Sequence, residues 1–314
     1  MINLAKKISV TLLEIIWNFE PRVIPSLKMP VWYGLLWAIS FIIGYKILSK
    51  MFKSEDVPDE WMDKILVYTL LGGVLGARLG HCLFYEPSYY LANPIEILKI
   101  WEGGLASHGG VLGILIATYF FSKKVSKRSM FWTLDRLVVP SALATFFIRI
   151  GNLFNHEIVG KPTLTEYGFK FLRHEIPGWQ AMKITNTDNL HDAFNKIAND
   201  PLYVDLVNTL PNRHPSQLYE AIAYLFIFLV VYFIYWKTNA GQIKGFLFGL
   251  FFILLFSARF IIEFTKESQG GADNGELLLN LNMGQWLSIP LVLVGFYFLL
   301  RNFKSFEINK KKIL

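Results

Sequence analysis

The chain of 314 residues has a single cysteine, Cys82, and little charge: only 18% of residues are Asp, Glu, Lys or Arg. One cysteine excludes an internal disulfide and any multi-cysteine metal site. Its expected role is that of a small buried side chain in a helix. Low charge together with 53% hydrophobic residues and 27 phenylalanines excludes an ordinary soluble domain. Sustained strand alternation is missing, which argues against a membrane β-barrel. No internal repeat is visible, so an inverted-repeat transporter has no support. Gly-x-Ser-x-Gly, a paired-aspartate membrane motif and His-Glu-x-x-His are all absent, leaving an intramembrane protease without nucleophile or metal. The net charge of +7 comes from basic residues scattered among short loops. That distribution suits an anionic cytoplasmic leaflet and disfavours nucleic acid as a partner.

What the chain does have is a set of apolar blocks long enough to cross a bilayer as helices. The expected fold is an all-α polytopic membrane protein with about seven transmembrane helices, at 31–49, 62–85, 104–121, 131–154, 217–236, 242–264 and 283–301. Loop 122–130, SKKVSKRSM, is strongly basic, as is the tail with Lys310, Lys311 and Lys312, whereas loops 86–103 and 265–282 hold one lysine each. Positive charge stays inside, which places the N-terminus outside and the C-terminus in the cytoplasm. The organisation expected is an N-terminal interfacial segment over 1–30, with an amphipathic helix at 8–20, then transmembrane helices 1–4 over 31–154. A small extracytoplasmic head follows at 155–216, with a short helix at 189–199, then helices 5–7 at 217–301 and a basic tail at 302–314. Glycines 72, 76 and 80, and again 241, 245 and 249, read as small-residue rows where helices pack closely.

Ionisable groups inside membrane helices cost several kcal/mol and are functional candidates by default. Under this orientation, separate helices deliver such groups to one level, the outer half of the bilayer. Tyr33 opens span one, Arg78 lies in the outer third of span two, and His108 sits about a turn inside span three. Arg149 and Asn152 lie near the outer end of span four. Gln217, Tyr219 and Glu220 open span five, and Arg259 and Glu263 share a face of span six with the spacing of an intrahelical pair. Arginine's planar fork suits a phosphate or carboxylate, and a phospholipid head group is the nearest abundant anion. His108, within GGLASHGGVLG, is flanked by glycines that leave its imidazole accessible. A phospholipid transporter or scramblase would also place arginines at head-group depth, but would continue its polar groups toward the inner face, where they are sparse. A non-enzymatic assembly factor would not account for a histidine converging with arginines.

Six stretches resemble, in order, the prolipoprotein diacylglyceryl transferase family: VWYG (31–34), GARLG (76–80), SHGGVLG (107–113), RIGNLFNHEIVG (149–160), RHPSQLYE (213–220) and ARFIIEF (258–264). The resemblance implies transfer of a diacylglyceryl group from phosphatidylglycerol to the lipobox cysteine of a prolipoprotein signal peptide, at the bacterial inner membrane. The product is a thioether and glycerol phosphate leaves, without cofactor or metal. Carried over by position, it implies His108, Arg149 and Arg259 as catalytic, and Tyr33, Arg78, Asn152, Glu157, Gly160 and Glu263 as substrate-binding, with Asp135 in support. His108 would act as general base on the thiol, and the arginines would stabilise the departing phosphate. Glu157, Glu263 and Asp135 would position arginines. Two positions depart from the family pattern: Leu255 stands where a tyrosine is usual, and His156 where a small residue is usual.

Overall fold

The computed structural model describes residues 14–163, 165, 167–267 and 281–302. Apolar runs become helices wherever length and composition demand it: α1 (Trp32–Lys53), α2 (Glu60–Phe84), α3 (Ser107–Phe121), α4 (Met130–Phe154), α5 (Gly178–Thr185), α6 (Leu190–Asn199), α7 (Val204–Thr209), α8 (Ser216–Lys237), α9 (Phe246–Ile262) and α10 (Met283–Asn302). Six of them, α1, α2, α4, α8, α9 (extended by a 3₁₀ turn to Thr265) and α10, are long and apolar enough to cross a membrane. The expected third span is helical but shorter, 15 residues, or about 22 Å against a hydrocarbon layer of about 30 Å. A π-helical stretch at Ser122–Ser126 continues it. The chain is a multi-pass helical membrane protein.

The fold divides into two compact units. The first comprises Met1–Gly44, Ser141–Val231 and Leu250–Tyr297, and the second Tyr45–Pro140, Tyr232–Gly249 and Phe298–Leu314.

In the first unit, residues 14–17 depart from the amphipathic helix expected over 8–20. They form strand β1 (Glu14–Trp17), paired in parallel with β2 (Gly168–Phe171); residues 1–13 lie outside the described residues. The sequence EIIW is rich in β-branched and aromatic side chains, which favour an extended strand where a partner strand is in reach. The segment is anchored further: Trp17 Nε1 donates to the Leu153 carbonyl at 3.0 Å, and Phe19 stacks on Phe154 with centroids 4.0 Å apart. Helix α6 begins where expected, because the Asn189 side chain accepts from the His191 and Asp192 amides. Its apolar face closes a small core with Leu172, Ile176, Ala181 and Val207.

In the second unit, α2 and α3 touch backbone to backbone. A Cβ on Gly113 would stand 2.0 Å from the Gly72 carbonyl oxygen, and one on Gly76 would stand 2.4 Å from that of Gly109. Any side chain there would force the helices apart, so the first glycine row packs as read. The second row does not exist as a helical stripe. Gly241 lies in a 3₁₀ turn and Gly245 has φ +83°, ahead of the first turn of α9. A glycine is needed at that turn because L side chains avoid positive φ.

Candidate functional site

Helix α4 ends at Phe154, and the next residues leave it through two left-handed positions, His156 (φ +57°) and Ile158 (φ +55°). The turn is internally braced. The Glu157 amide returns to the Asn152 carbonyl at 2.9 Å. Asn152 Nδ2 and Asn155 Nδ2 donate to the two Glu157 carboxylate oxygens at 3.1 and 3.3 Å. Asn152 Oδ1 in turn accepts from Arg149 Nη1 at 3.2 Å. Arg149 Nε lies 3.0 Å from Glu220 Oε2 in an ion pair. These contacts hold the guanidinium at Nε and Nη1. Its Nη2 has no bonding partner among the described residues, which leaves two donors of the fork open.

Glu220 is fully buried and would be expensive alone. Lys266 Nζ meets its Oε1 at 2.9 Å, and the Tyr224 hydroxyl donates to the same oxygen at 2.9 Å. Lys266 also reaches Glu263 Oε2 at 3.0 Å. A chain of charge therefore runs Glu263, Lys266, Glu220, Arg149, Asn152, Glu157. The expected pairing of Arg259 with Glu263 is replaced. Helix α9 ends at Ile262 and Glu263–Thr265 tighten into a 3₁₀ turn, so the α-helical four-residue register is lost and the carboxylate goes to Lys266. Arg259 is half-buried and carries no hydrogen bond or ion pair among the described residues.

Two further predicted residues belong to this unit. The Tyr33 ring lies against Gly151, where an added Cβ would be 2.5 Å from Cδ2. Gly160 is a point of close approach: a Cβ would stand 2.3 Å from the His214 carbonyl oxygen, its amide donates to that oxygen, and its carbonyl accepts from Arg213 at 3.1 Å. Its contacts are with the chain itself, which ties the Glu157 turn to the start of α8.

The remaining three, Arg78, His108 and Asp135, belong to the second unit. Arg78 is 3% exposed and all three of its nitrogens donate to backbone carbonyls: Nε to Ile97, Nη1 to Gly103 and Gly104, and Nη2 to Glu96. It also lies over the Tyr90 ring. This guanidinium is committed to holding residues 94–104. Asp135, expected to position an arginine, instead accepts from the Gly245 and Phe248 amides at 2.7 and 2.9 Å. Those amides open α9 and need an acceptor, so the buried carboxylate is a helix cap; the same helix carries Arg259 near its other end. His108 is exposed on the first turn of α3, whose N-terminus no side chain caps.

Sequence reasoning missed Lys266, read there as a loop charge, and left Glu220 out of the site. The available signal was a glutamate ending an amide- and hydroxyl-rich motif at a helix start. His156, the departure from the family pattern, is explained by packing. Its Nε2 donates to the Phe19 carbonyl at 2.9 Å, and burial drives its pKa down from 6.5 to about 4. The neutral ring secures the N-terminal segment above the end of α4.

Apolar helices that carry the ion-paired chain Glu263, Lys266, Glu220 and Arg149 define a membrane protein with a polar centre. A family model for prolipoprotein diacylglyceryl transferase matches residues 23–301. The phosphatidylglycerol–prolipoprotein diacylglyceryl transferase of Chloroherpeton thalassium is 41% identical over 94% of this chain and 97% of its own. The protein of the same name from Tolumonas auensis is 42% identical over 92% of this chain and 98% of its own. That from Porphyromonas gingivalis is 41% identical over 93% and 95%. The chain belongs to the prolipoprotein diacylglyceryl transferase family, a family of membrane transferases in lipoprotein biosynthesis.

Proposed function

We propose that this chain transfers the diacylglyceryl group of phosphatidylglycerol to the lipobox cysteine thiol of prolipoproteins, in the bacterial inner membrane, with its N-terminus outside and α3 as a seventh span. The thiolate sulfur attacks the glyceryl carbon next to the phosphate oxygen. The carbon–sulfur bond forms as the carbon–oxygen bond breaks, the electron pair leaves with the phosphate, and glycerol phosphate departs with one more negative charge than the diester carried. The observation that carries this reading is the half-committed Arg149. Glu220 and Asn152 fix Nε and Nη1, so its open Nη2 donors and Arg259 can meet charge as it grows on the leaving group, with no reorganisation at that moment.

His108 takes the thiol proton, since only the thiolate attacks well. The uncapped start of α3 presents free amides that favour a neighbouring anion. Asn152 and Tyr33 orient the head group. Glu220 and Lys266 position Arg149, and Glu263 acts through Lys266. Arg78 acts at one remove, by fixing the segment that leads to His108. The test is purified protein with labelled phosphatidylglycerol and a lipobox peptide, read by mass spectrometry of the cysteine. A diacylglyceryl mass gain on sulfur is expected. Lipid movement between leaflets with no gain on sulfur would replace the reading with a scramblase. His108→Gln is expected to lose activity across neutral pH; full retention would give the proton to another base.

A further inference from the structure

The connection between α2 and α3 carries a run of large exposed apolar side chains. Leu91, Ile95, Leu98 and Trp101 are each at least 72% exposed, and Tyr85 and Tyr89 are exposed with them. Apolar exposure on this scale marks a binding face. The segment is also rigidly built. Arg78 holds the carbonyls of Glu96, Ile97, Gly103 and Gly104. A helical turn at Pro87–Ala92 and 3₁₀ turns at Pro94–Leu98 and Ile100–Glu102 bond much of the backbone internally. The Tyr90, Asn93, Glu96 and Lys99 amides all find carbonyls within the segment.

A buried arginine that holds four carbonyls of a loop, and a loop that bonds much of its remaining backbone internally, together suit one partner. Acyl chains cannot supply hydrogen bonds, so a segment that enters them needs its backbone bonded by the protein itself. The exposed apolar side chains of α2, Leu75, Leu79 and Leu83, lead into it without a break. Tyrosine and tryptophan at the end of a membrane helix are the residues of the head-group boundary.

We infer that residues 85–105 form a rigid platform inserted in the membrane interface, with Leu91, Ile95, Leu98 and Trp101 among the acyl chains and a phospholipid surface as the ligand. The platform sets the depth at which α3, and so His108, begins. Its side of the membrane follows the orientation proposed above, but its insertion does not depend on the transfer reaction.

The test uses the full chain in vesicles of phosphatidylglycerol and phosphatidylethanolamine, with photoreactive benzoylphenylalanine replacing Leu98 or Trp101, and Leu75 as the lipid-facing reference. Irradiation and mass spectrometry are expected to give phospholipid adducts at 98 and 101 in yields within threefold of that at 75, with or without lipobox peptide. Adducts only to the peptide or to a second copy of the chain would overturn the inference. So would the absence of lipid adducts at 98 and 101 while 75 is labelled. Adding Arg78→Gln is expected to lower the lipid yield at 101 at least threefold and leave 75 unchanged; equal yields would remove Arg78 from the device. Because the readout is lipid capture, it stands or falls separately from transfer.

Discussion

Arg78 and Arg149 start from the same predicament and resolve it differently. Each lies in an apolar helix, two residues from a glycine, where a charge is costly. Every nitrogen of Arg78 donates to a backbone carbonyl. Arg149 meets a carboxylate at Nε and an amide at Nη1, and its Nη2 remains open. Burial alone therefore does not separate an architectural arginine from a reactive one. What separates them is the acceptor: carbonyls absorb donors without fixing net charge, whereas a buried glutamate fixes the orientation of a cation whose Nη2 stays available. A lysine completes the second arrangement, standing between Glu220 and Glu263 and pairing with both.

The strongest way to break the contrast is to remove that lysine. Lys266→Met leaves two buried carboxylates short of a cation and is expected to destabilise the protein by roughly 3–5 kcal/mol, read as a lowered thermal midpoint in detergent. Lys266→Arg is expected to keep most of the stability. Next come the open donors themselves. Arg149→Ala and Arg259→Ala should each slow transfer by a factor on the order of 10²–10³, roughly 2.7–4 kcal/mol of barrier, in protein that still inserts. Arg78→Gln should act through architecture, lowering stability by about 1–3 kcal/mol, with less than a tenfold loss of transfer per folded molecule; a greater loss would move Arg78 into the reaction.

The smallest effect is one of pH. Below 6.5 the unfolded His156 binds a proton that the folded, buried ring refuses until about pH 4. Unfolding then takes up protons, so stability falls as pH drops from 6.5 to about 4, by at most about 1.4 kcal/mol per pH unit from this group. Glu20 extends the decline. Hydrogen bonds and charge from Arg22, Arg173 and His191 outweigh its burial and hold its pKa at about 2 instead of 4.5, so its contribution is lost between those values as acid is added. Chemical denaturation at a series of pH values, with His156→Gln flattening the upper interval, checks both.

The helices were legible because uninterrupted apolar length has few alternatives, and Arg149, Asn152 and Glu157 because polar groups stand out against it. The parallel pairing of residues 14–17 with 168–171 was not legible, since it joins segments about 150 positions apart. Local pattern carries no trace of such a partner. Lys266 sat past the end of a helix, where a lysine reads as solvated, and only the fold brings two buried carboxylates to it. The Arg259–Glu263 spacing misled for the opposite reason: four-residue register holds only while the helix does, and this one tightens at Glu263. Asp135 was identified as structural support, but its true partners, the first amides of α9, lie more than a hundred residues on.

The account turns on whether Arg149 offers its fork to the lipid phosphate while Arg78 does not. Single-turnover transfer from labelled phosphatidylglycerol to a lipobox peptide, measured by mass spectrometry in Arg149→Lys and Arg78→Lys protein matched for folded content, puts the two side by side. Lysine keeps the charge but lacks the planar fork whose separate nitrogens face Glu220 and Asn152 and leave Nη2 for a phosphate. The prediction is a loss of at least a hundredfold for Arg149→Lys and less than tenfold for Arg78→Lys. Near wild-type transfer by Arg149→Lys, or the larger loss falling on Arg78→Lys, would contradict it.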